Sequence, residues 1–142
     1  MKTRFPLIAG VLLGIALPQL AAAQSDPLTA KKLSCVPDKF TRCAADDKCE
    51  TREASARDKA QPLIIDTETK AVVVRRENNQ ERAFGTIVDD KVAGEVRTLT
   101  LREPGDPNKP ASITLAITRA GKLTMTSNEG RRRAEATCSP AT

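Results

Sequence analysis

Four cysteines constrain the fold of this chain more than any other feature of its sequence. Cys35, Cys43 and Cys49 are close together near the start, whereas Cys138 lies near the end. In an exported chain of this size, an even number of cysteines is typical of a disulfide framework. Such bonds fasten small domains that bury only a modest core.

Four cysteines allow three pairings. We favour Cys43 with Cys49, because residues 44–48 have the composition of a turn, and Cys35 with Cys138. The two alternatives pair Cys35 with Cys43 or with Cys49 and leave the other cysteine for Cys138. By loop entropy the favoured short bridge would contribute about 2.4 kcal/mol and the long one about 4.7 kcal/mol. A zinc site or a redox centre is disfavoured, because the chain has no C-x-x-C pair and no histidine.

The first 23 residues have the features of a secretory signal peptide. Lys2 and Arg4 provide a positive start, residues 7–17 are largely apolar, and small residues run up to Ala23. Cleavage after Ala23 would make Gln24 the first mature residue. The apolar run is too short for a permanent membrane helix, which needs about 20 residues. We therefore predict a periplasmic or secreted protein with no stable membrane anchor.

Removal of residues 1–23 would leave a chain that suits one domain of ordinary size. We expect residues 24–33 to form a flexible mature N-terminus, because Asp26-Pro27 interrupts regular structure. Residues 34–142 are predicted to form a single β domain. We expect this domain to be a monomer.

Alternating apolar residues predict a series of short antiparallel strands. Residues 63–66 and 71–75 flank a polar turn and form a predicted hairpin. The alternation is strict in residues 113–118, which a turn at 119–122 joins to the next strand. Further strands are predicted at 40–43, 82–89, 96–102 and 131–138, with a turn at 90–94 and a proline-rich loop at 104–110.

The segment Lys48–Gln61 is ambiguous, because its residues favour helix by propensity but provide no apolar stripe. We predict an edge strand that runs into a polar loop, with a short helix as the alternative. Seven or eight antiparallel strands in chain order predict an all-β meander, which either curls into a barrel or folds into a sandwich. A bond from Cys35 to Cys138 would bring the first and last strands together. We therefore predict a small up-and-down barrel stapled by disulfides.

The composition argues against an enzyme, because the absence of histidine removes the usual general base and the Ser-His-Asp machinery. Asp46-Asp47 and Asp89-Asp90 are candidate carboxylate pairs, but both fall in predicted turns, and neighbours in a strand point to opposite faces. Asp106 and Asn108 have a spacing suited to calcium, yet prolines interrupt them and no glutamate follows. We expect no catalytic residue, no metal and no cofactor.

The charge of the chain restricts the class of partner. The whole chain has a net charge of +5, and without residues 1–23 it has 21 basic and 18 acidic residues, a net charge of +3. This excess is too small to indicate nucleic acid binding. Recognition of single strands also uses aromatic platforms, and the chain has three Phe and neither Trp nor Tyr. We expect a protein or a small ligand as the partner, and no nucleic acid.

Arg131-Arg132-Arg133 is the densest basic run of the chain. In a strand, Arg131 and Arg133 share a face and Arg132 points the other way. An inward Arg132 would be a buried cation in need of a partner, so we expect all three to lie in solvent at a strand mouth. One interpretation is a solvated edge that blocks sheet aggregation. The other is a candidate anion- or partner-binding patch, because guanidinium groups match carboxylates and phosphates.

The outline of the chain resembles small exported bacterial β-barrel proteins that are closed by a terminal disulfide. The resemblance depends on the signal peptide, on Cys35 in the first strand, on the strand meander and on Cys138. The periplasmic C-type lysozyme inhibitors are similar in outline, but their Tyr and Trp motifs have no counterpart in this chain. The resemblance implies a closed barrel and provides no binding residues.

These observations predict a non-catalytic periplasmic binding or interaction module, such as an inhibitor of another protein, that uses the loops at one end of a barrel. The alternative is a carrier of a small apolar ligand in the barrel interior. Small residues expected inside the barrel would leave space for such a ligand. They are Ala71, Ala83, Gly85, Ala134 and Ala136.

Overall fold

A computed structural model of the protein describes residues 25–127 and 129–142. The predicted signal peptide, residues 1–23, lies outside the described residues, as does its predicted cleavage site. The described part of the chain contains nine strands and one helical turn. In chain order these are β1 (Lys32–Cys43), β2 (Cys49–Glu53), α1 (Ala56–Lys59), β3 (Leu63–Asp66), β4 (Ala71–Arg75), β5 (Glu81–Ala93), β6 (Val96–Arg102), β7 (Ile113–Thr118), β8 (Lys122–Ser127) and β9 (Arg132–Pro140).

Eight of the strands, β1 and β3 to β9, form a closed antiparallel barrel. From β3 onwards each strand pairs with the next one in the chain, and β9 returns to pair with β1. The predicted all-β, up-and-down barrel is therefore confirmed, and the sandwich is not formed. The ninth strand, β2, is additional: it pairs with Lys39–Cys43 of β1, whereas β3 pairs with Lys32–Cys35.

Both favoured disulfides are present. Cys35 lies directly opposite Cys138 in the β1–β9 pairing, and their bond joins residues 103 positions apart. Cys43 lies opposite Cys49 at the end of the β1–β2 hairpin. The long bond is buried in the core and fastens the seam at which the barrel closes. The short bond fastens the hairpin that projects beyond the eight strands.

The segments with the clearest alternation fold as predicted, because each barrel strand turns every second side chain inward. Leu99 and Leu101 of β6 are fully buried, as are Leu115 and Ile117 of β7. The intervening residues of both strands lie on the outer face and are partly exposed. The β3–β4 hairpin also has its predicted bounds.

Strand β5 differs from its prediction because it contains a bulge. Val72 lies opposite Gly85 and Val73 opposite Ala83, so that Phe84 is an extra residue in β5. The bulge directs Phe84 toward the core on the same side as Gly85, whereas regular strand alternation would place these neighbours on opposite faces. Gly85 has little room for a side chain, since an added Cβ would lie 3.0 Å from a backbone oxygen of β6.

The predicted turn at residues 90–94 is also corrected. β5 continues to Ala93, so Asp90 lies within a strand, and the tight turn contains Gly94 with φ +59°. The β5–β6 hairpin is therefore longer at this end than alternation suggested. The consequence is that Asp90 can reach a side chain of β6.

Lys48–Gln61 contains both structures that the sequence had left open. β2 is an edge strand whose five residues are all exposed, and α1 follows it after a short connection. The helical turn begins with a capping box, in which the Ser55 Oγ accepts from the Asp58 N–H at 3.2 Å and Asp58 Oδ2 accepts from the Ser55 N–H at 2.9 Å. This cap supports a helix that is too short to be stable alone.

Residues 25–31 cover one end of the barrel, which we call the closed end. Leu28 and Ala30 are buried there, and Ala30 belongs to the core cluster. This packing differs from the flexible segment predicted for residues 24–33, because two apolar side chains on either side of Thr29 cover the barrel opening. The opposite end, at which β1 finishes and β9 begins, is the open end.

The closed end contains a buried cation, Arg97, which is 5% exposed. Its Nε and Nη2 donate to the two carboxylate oxygens of Asp90 at 2.9 and 2.6 Å, and its Nη1 donates to the Ala30 carbonyl at 2.7 Å. Sequence reasoning considered a buried cation at Arg132 and missed this one. The signal was present, because Arg97 shares the inward alternation of Leu99.

Candidate functional site

Two adjoining recesses lie at the open end of the barrel. The first, which we call the mouth cavity, has a volume of about 250 Å³ and lies where β1 changes its neighbour from β3 to β2. Its apolar wall includes Phe40, Leu63, Phe84, Leu123, Met125 and Ala134. The second, the arginine cleft, has a volume of about 720 Å³ and is lined by Phe40, Thr41, Arg42, Glu50, Thr51, Arg52, Met125, Arg132 and Arg133.

The mouth cavity results from a small residue between two large ones. Phe40 of β1 lies opposite Ala134 of β9, and Ala134 lies opposite Met125 of β8. The alanine side chain leaves room that the flanking phenylalanine and methionine surround rather than fill. Deeper in the barrel leucine and isoleucine side chains fill most of the interior, and Leu99, Leu115 and Ile117 are fully buried.

The small residues expected to leave interior space are placed differently from one another. Gly85, Ala134 and Ala136 are buried, and the two alanines line the mouth cavity. Ala71 is half-buried, and Ala83 is exposed because the bulge in β5 directs it outward. Of the five, therefore, Ala134 and Ala136 contribute to a recess at the open end, and the rest of the barrel interior is packed.

The arginine cleft brings cations of distant segments together. Arg42 of β1 lies opposite Arg132 of β9, and Thr41 lies opposite Arg133. Among residues 25–127 and 129–142, no carboxylate forms an ion pair with Arg42, Arg132 or Arg133. Like charges directly opposite each other on neighbouring strands destabilise a sheet. Glu50 lies opposite Arg42 on β2 and offsets one of these charges, so the cleft has an excess of positive charge.

Arg52 differs from the other arginines of the cleft because it has a carboxylate partner. Its Nη1 donates to Asp58 at 2.7 Å, and its guanidinium lies 4.6 Å from the centre of the Phe40 ring. The hydrogen bond from Arg52, together with those from the Ser55 backbone and hydroxyl, holds the pKa of Asp58 far below its usual range. Asp58 therefore remains ionised, and Arg52 already balances its charge.

A second carboxylate at the mouth cavity is also neutralised. Glu135 accepts from Lys39 at 3.0 Å, and this hydrogen bond raises the pKa of the Lys39 ammonium. Arg82 also lines the mouth cavity, and no ion pair involves it within the described ranges. The walls of the two recesses thus carry four arginines without a carboxylate partner and one carboxylate, Glu50, without a cation.

The structure divides the predicted basic patch. All three residues of Arg131-Arg132-Arg133 are exposed, but Arg132 and Arg133 line the arginine cleft while Arg131 lies in a neighbouring recess, 3.9 Å from Glu129. Sequence reasoning missed Arg42 and Arg52. A signal for Arg42 was available, because a strand pairing centred on Cys35 and Cys138 brings position 42 close to the start of the arginine run.

Asp46 and Asp90, one from each candidate carboxylate pair, have hydrogen-bond partners within the chain. Asp46 accepts from the Lys48 N–H at 3.3 Å in an exposed turn, and Asp90 is engaged by Arg97. Asp106 accepts from the Asn108 N–H at 2.8 Å, which is a turn hydrogen bond. Within residues 25–127 and 129–142 there is no group of three or more acidic, cysteine or histidine residues arranged to hold a metal ion.

Comparison of the chain with protein-family models, with curated proteins and with solved structures found no match. In the part of the chain that the structure describes, no helix has the length and apolar character needed to cross a membrane.

Proposed function

We propose that this protein is a non-catalytic binding module that acts in the periplasm or after secretion, and that its binding site is the open end of the barrel. The single observation that carries the proposal is the mouth cavity beside the arginine cleft. The closed end, in contrast, is covered by residues 25–31 and sealed by the Arg97 hydrogen bonds. The two ends thus differ in whether the barrel interior is covered.

The geometry supports a small ligand with an apolar part better than a protein partner. Small-molecule sites usually enclose about 300–1,000 Å³ with mostly apolar walls and a few polar groups. The mouth cavity, at about 250 Å³, would hold an apolar group, and the adjoining cleft would hold the rest of the molecule. This arrangement corresponds to the carrier hypothesis, except that the ligand would bind at the open end of the barrel and not throughout its interior.

A cavity-filling substitution tests this function. Ala134→Leu should fill the mouth cavity, whereas Ala83→Leu adds the same side chain at an exposed position outside it. N-phenyl-1-naphthylamine, a neutral apolar dye, should bind the purified wild type and the Ala83→Leu variant in a saturable manner, and Ala134→Leu should weaken binding at least tenfold. Far-UV circular dichroism establishes that the variants are folded. Equal dye binding by both variants, or no saturable binding by the wild type, would refute the proposal.

A second candidate is a protein partner that pairs with β2, which would suit an inhibitor. β2 pairs with β1 and lies at the end of the strand order, so its other edge is open. The Ala54 N–H donates to Asp38 and the Ala44 N–H to Lys48, each at 2.8 Å. The alternation between these bonds turns the Thr51 N–H away from β1.

The second candidate has its own test. Thr51→Pro would remove an outward backbone donor without removing a backbone hydrogen bond to β1. It also removes the Thr51 hydroxyl, which lies 2.9 Å from the Thr41 hydroxyl of β1, so Thr51→Val serves as the control that removes this side-chain contact alone. A protein partner that uses this edge should be retained by tagged wild-type protein and lost by Thr51→Pro. A partner that uses the loops should instead be lost when residues 104–110 are replaced. A partner retained by both variants would contradict binding at either place.

A further inference from the structure

We propose that the ligand of the open end is a single-chain anionic amphiphile, with a carboxylate or phosphate head group on a short apolar chain. This inference rests on the proposed function, because it assigns the chemistry of the ligand to the same site. The apolar chain would occupy the mouth cavity, and the head group would lie between Arg42 and Arg132 in the arginine cleft.

The mouth cavity and the arginine cleft share two lining residues. Phe40 and Met125 line both the mouth cavity and the arginine cleft. A molecule whose apolar end contacts these two side chains would place its other end toward the guanidinium groups. A ligand with an apolar chain and a polar head matches these two recesses. The chain would be buried against the apolar wall of the mouth cavity, while the head would stay solvated or hydrogen-bonded in the arginine cleft.

The charge of the cleft favours an anion over a neutral polar group. Arg42 and Arg132 lie opposite each other, and no carboxylate of the described residues forms an ion pair with either, although Glu50 lies opposite Arg42 on its other side. An anion between them would relieve the repulsion and accept charge-assisted hydrogen bonds from the guanidinium forks. The lining carboxylates Asp58 and Glu135 offer little opposition, because Arg52 and Lys39 already neutralise them. Glu50, opposite Arg42 on β2, offsets one arginine charge of the cleft and leaves an excess of positive charge there.

The size and depth of the mouth cavity favour one short chain. Its volume of about 250 Å³ is below the range typical of drug-sized ligands, so it suits a single chain rather than a two-chain lipid. The large apolar side chains exposed on the described surface, Val36, Val88, Val92 and Val96, line neither recess. The apolar surface of the open end is therefore recessed, as a monomeric ligand requires, and does not project as a membrane-inserting surface would.

Displacement of N-phenyl-1-naphthylamine tests the head group. Octanoate and octyl phosphate, below their micellar concentrations, should displace the dye from the wild type at concentrations at least tenfold lower than octyl glucoside, which has the same chain and a neutral head. Inorganic phosphate alone should not displace it. We call the ratio of the displacing concentration of octyl glucoside to that of an anionic probe the anionic advantage. This ratio should decrease as salt is added, because the cleft is exposed.

Charge-matched variants locate the head group. Arg42→Gln combined with Arg132→Gln should reduce the anionic advantage to less than threefold. Arg57→Gln combined with Arg76→Gln removes the same charge from exposed positions outside both recesses and should retain the advantage. Dye binding itself should persist in both variants, because Phe40 and Met125 remain.

The possible outcomes separate the inference from the function on which it rests. If octyl glucoside and octanoate displace the dye equally, or if both double variants lose the advantage equally, the anionic head group is wrong while the binding function stands. If the dye does not bind the wild type, the proposed function fails first. If the protein sediments with anionic vesicles and no monomeric probe displaces the dye, the site contacts a membrane surface and the inference is overturned.

Discussion

Arg97 and Asp90 form a two-point ion pair between β6 and β5 at the closed end of the barrel. The distances are 2.9 Å from Nε to Oδ1 and 2.6 Å from Nη2 to Oδ2, and the Arg97 side chain is 7% exposed. The remaining nitrogen, Nη1, donates to the Ala30 carbonyl. The same guanidinium therefore holds two strands together and attaches the segment that covers the barrel.

Replacement of Asp90 should show how much stability is lost when the buried Arg97 guanidinium has no carboxylate partner. We expect Asp90→Asn to lower the free energy of unfolding by about 3 kcal/mol, because a buried guanidinium would lose its charge partner. Arg97→Met combined with Asp90→Asn should be less destabilised than the sum of the two single variants. Urea unfolding followed by circular dichroism measures all three values. If the losses of unfolding free energy in the two single variants add up to the loss in the double variant, Arg97 and Asp90 do not stabilise the fold as a pair.

The two disulfides should contribute unequally to stability. Loop entropy predicts that Cys35→Ala with Cys138→Ala costs about 4.7 kcal/mol, and that Cys43→Ser with Cys49→Ser costs about 2.4 kcal/mol. The difference arises because the first bond joins residues 103 positions apart and the second joins residues 6 apart. Urea unfolding under non-reducing conditions compares the two. Loss of the short bond should not open the barrel, so a larger effect from that bond would contradict its placement on the hairpin.

Gly121 should tolerate substitution less well than Gly94. Both glycines have positive φ, +84° and +59°, so an alanine at either site would cost about 1–2 kcal/mol. At Gly121 the added Cβ would also collide with the Cys138 carbonyl oxygen, whereas nothing lies within 4 Å of a Cβ at Gly94. We expect Gly121→Ala to be destabilised by about 2 kcal/mol more than Gly94→Ala, because backbone atoms must move apart. Thermal unfolding of the two variants provides the comparison.

The Asp58 carboxylate should make stability depend on acid pH. Its pKa is lowered in the folded protein by the hydrogen bond from Arg52 and by those from Ser55, and an unfolded aspartate has a pKa of about 3.9. Its stabilising contribution is therefore complete above about pH 4 and is lost as the pH falls toward the lower folded value. Asp58→Asn should flatten the decline in unfolding midpoint below about pH 4, because asparagine does not titrate.

A control at an acidic residue in a turn completes the pH experiment. Asp47 has φ 60°, a conformation that asparagine adopts readily, and it is exposed. Asp47→Asn should leave the decline in unfolding midpoint below about pH 4 as steep as in the wild type. If both substitutions flatten the slope equally, net charge and not the Arg52–Asp58 contact determines the pH dependence.

Much of the fold could be predicted because a barrel strand exposes one face and buries the other. That constraint produces the strict alternation seen in β7 and in Leu99 and Leu101 of β6. The predicted signal peptide made disulfides the expected state of the cysteines, and the turn composition of residues 44–48 favoured the pairing of Cys43 with Cys49. These are local signals, so a single sequence was enough to interpret them.

The candidate site could be predicted only in part, because its residues meet through contacts between distant segments. Alternation cannot reveal a bulge, so the inward turn of Phe84 was missed. The arginine run was recognised, but its pairing with Arg42 depends on the register of β1 against β9. That register contains a one-residue shift between Pro37 and Lys39, which no feature of the sequence predicts.

By itself, the sequence determined the all-β strand content and favoured the disulfide pairing and the barrel over their alternatives, since periodicity and cysteine chemistry act over short ranges or through a single bond. The tertiary structure decided which end of the barrel is open and which charges face each other there. Closure places Arg42 opposite Arg132, and it places Arg97 under Ala30. Barrel closure sets these contacts by bringing together segments that are far apart in the chain, and it is this step that creates the candidate binding site.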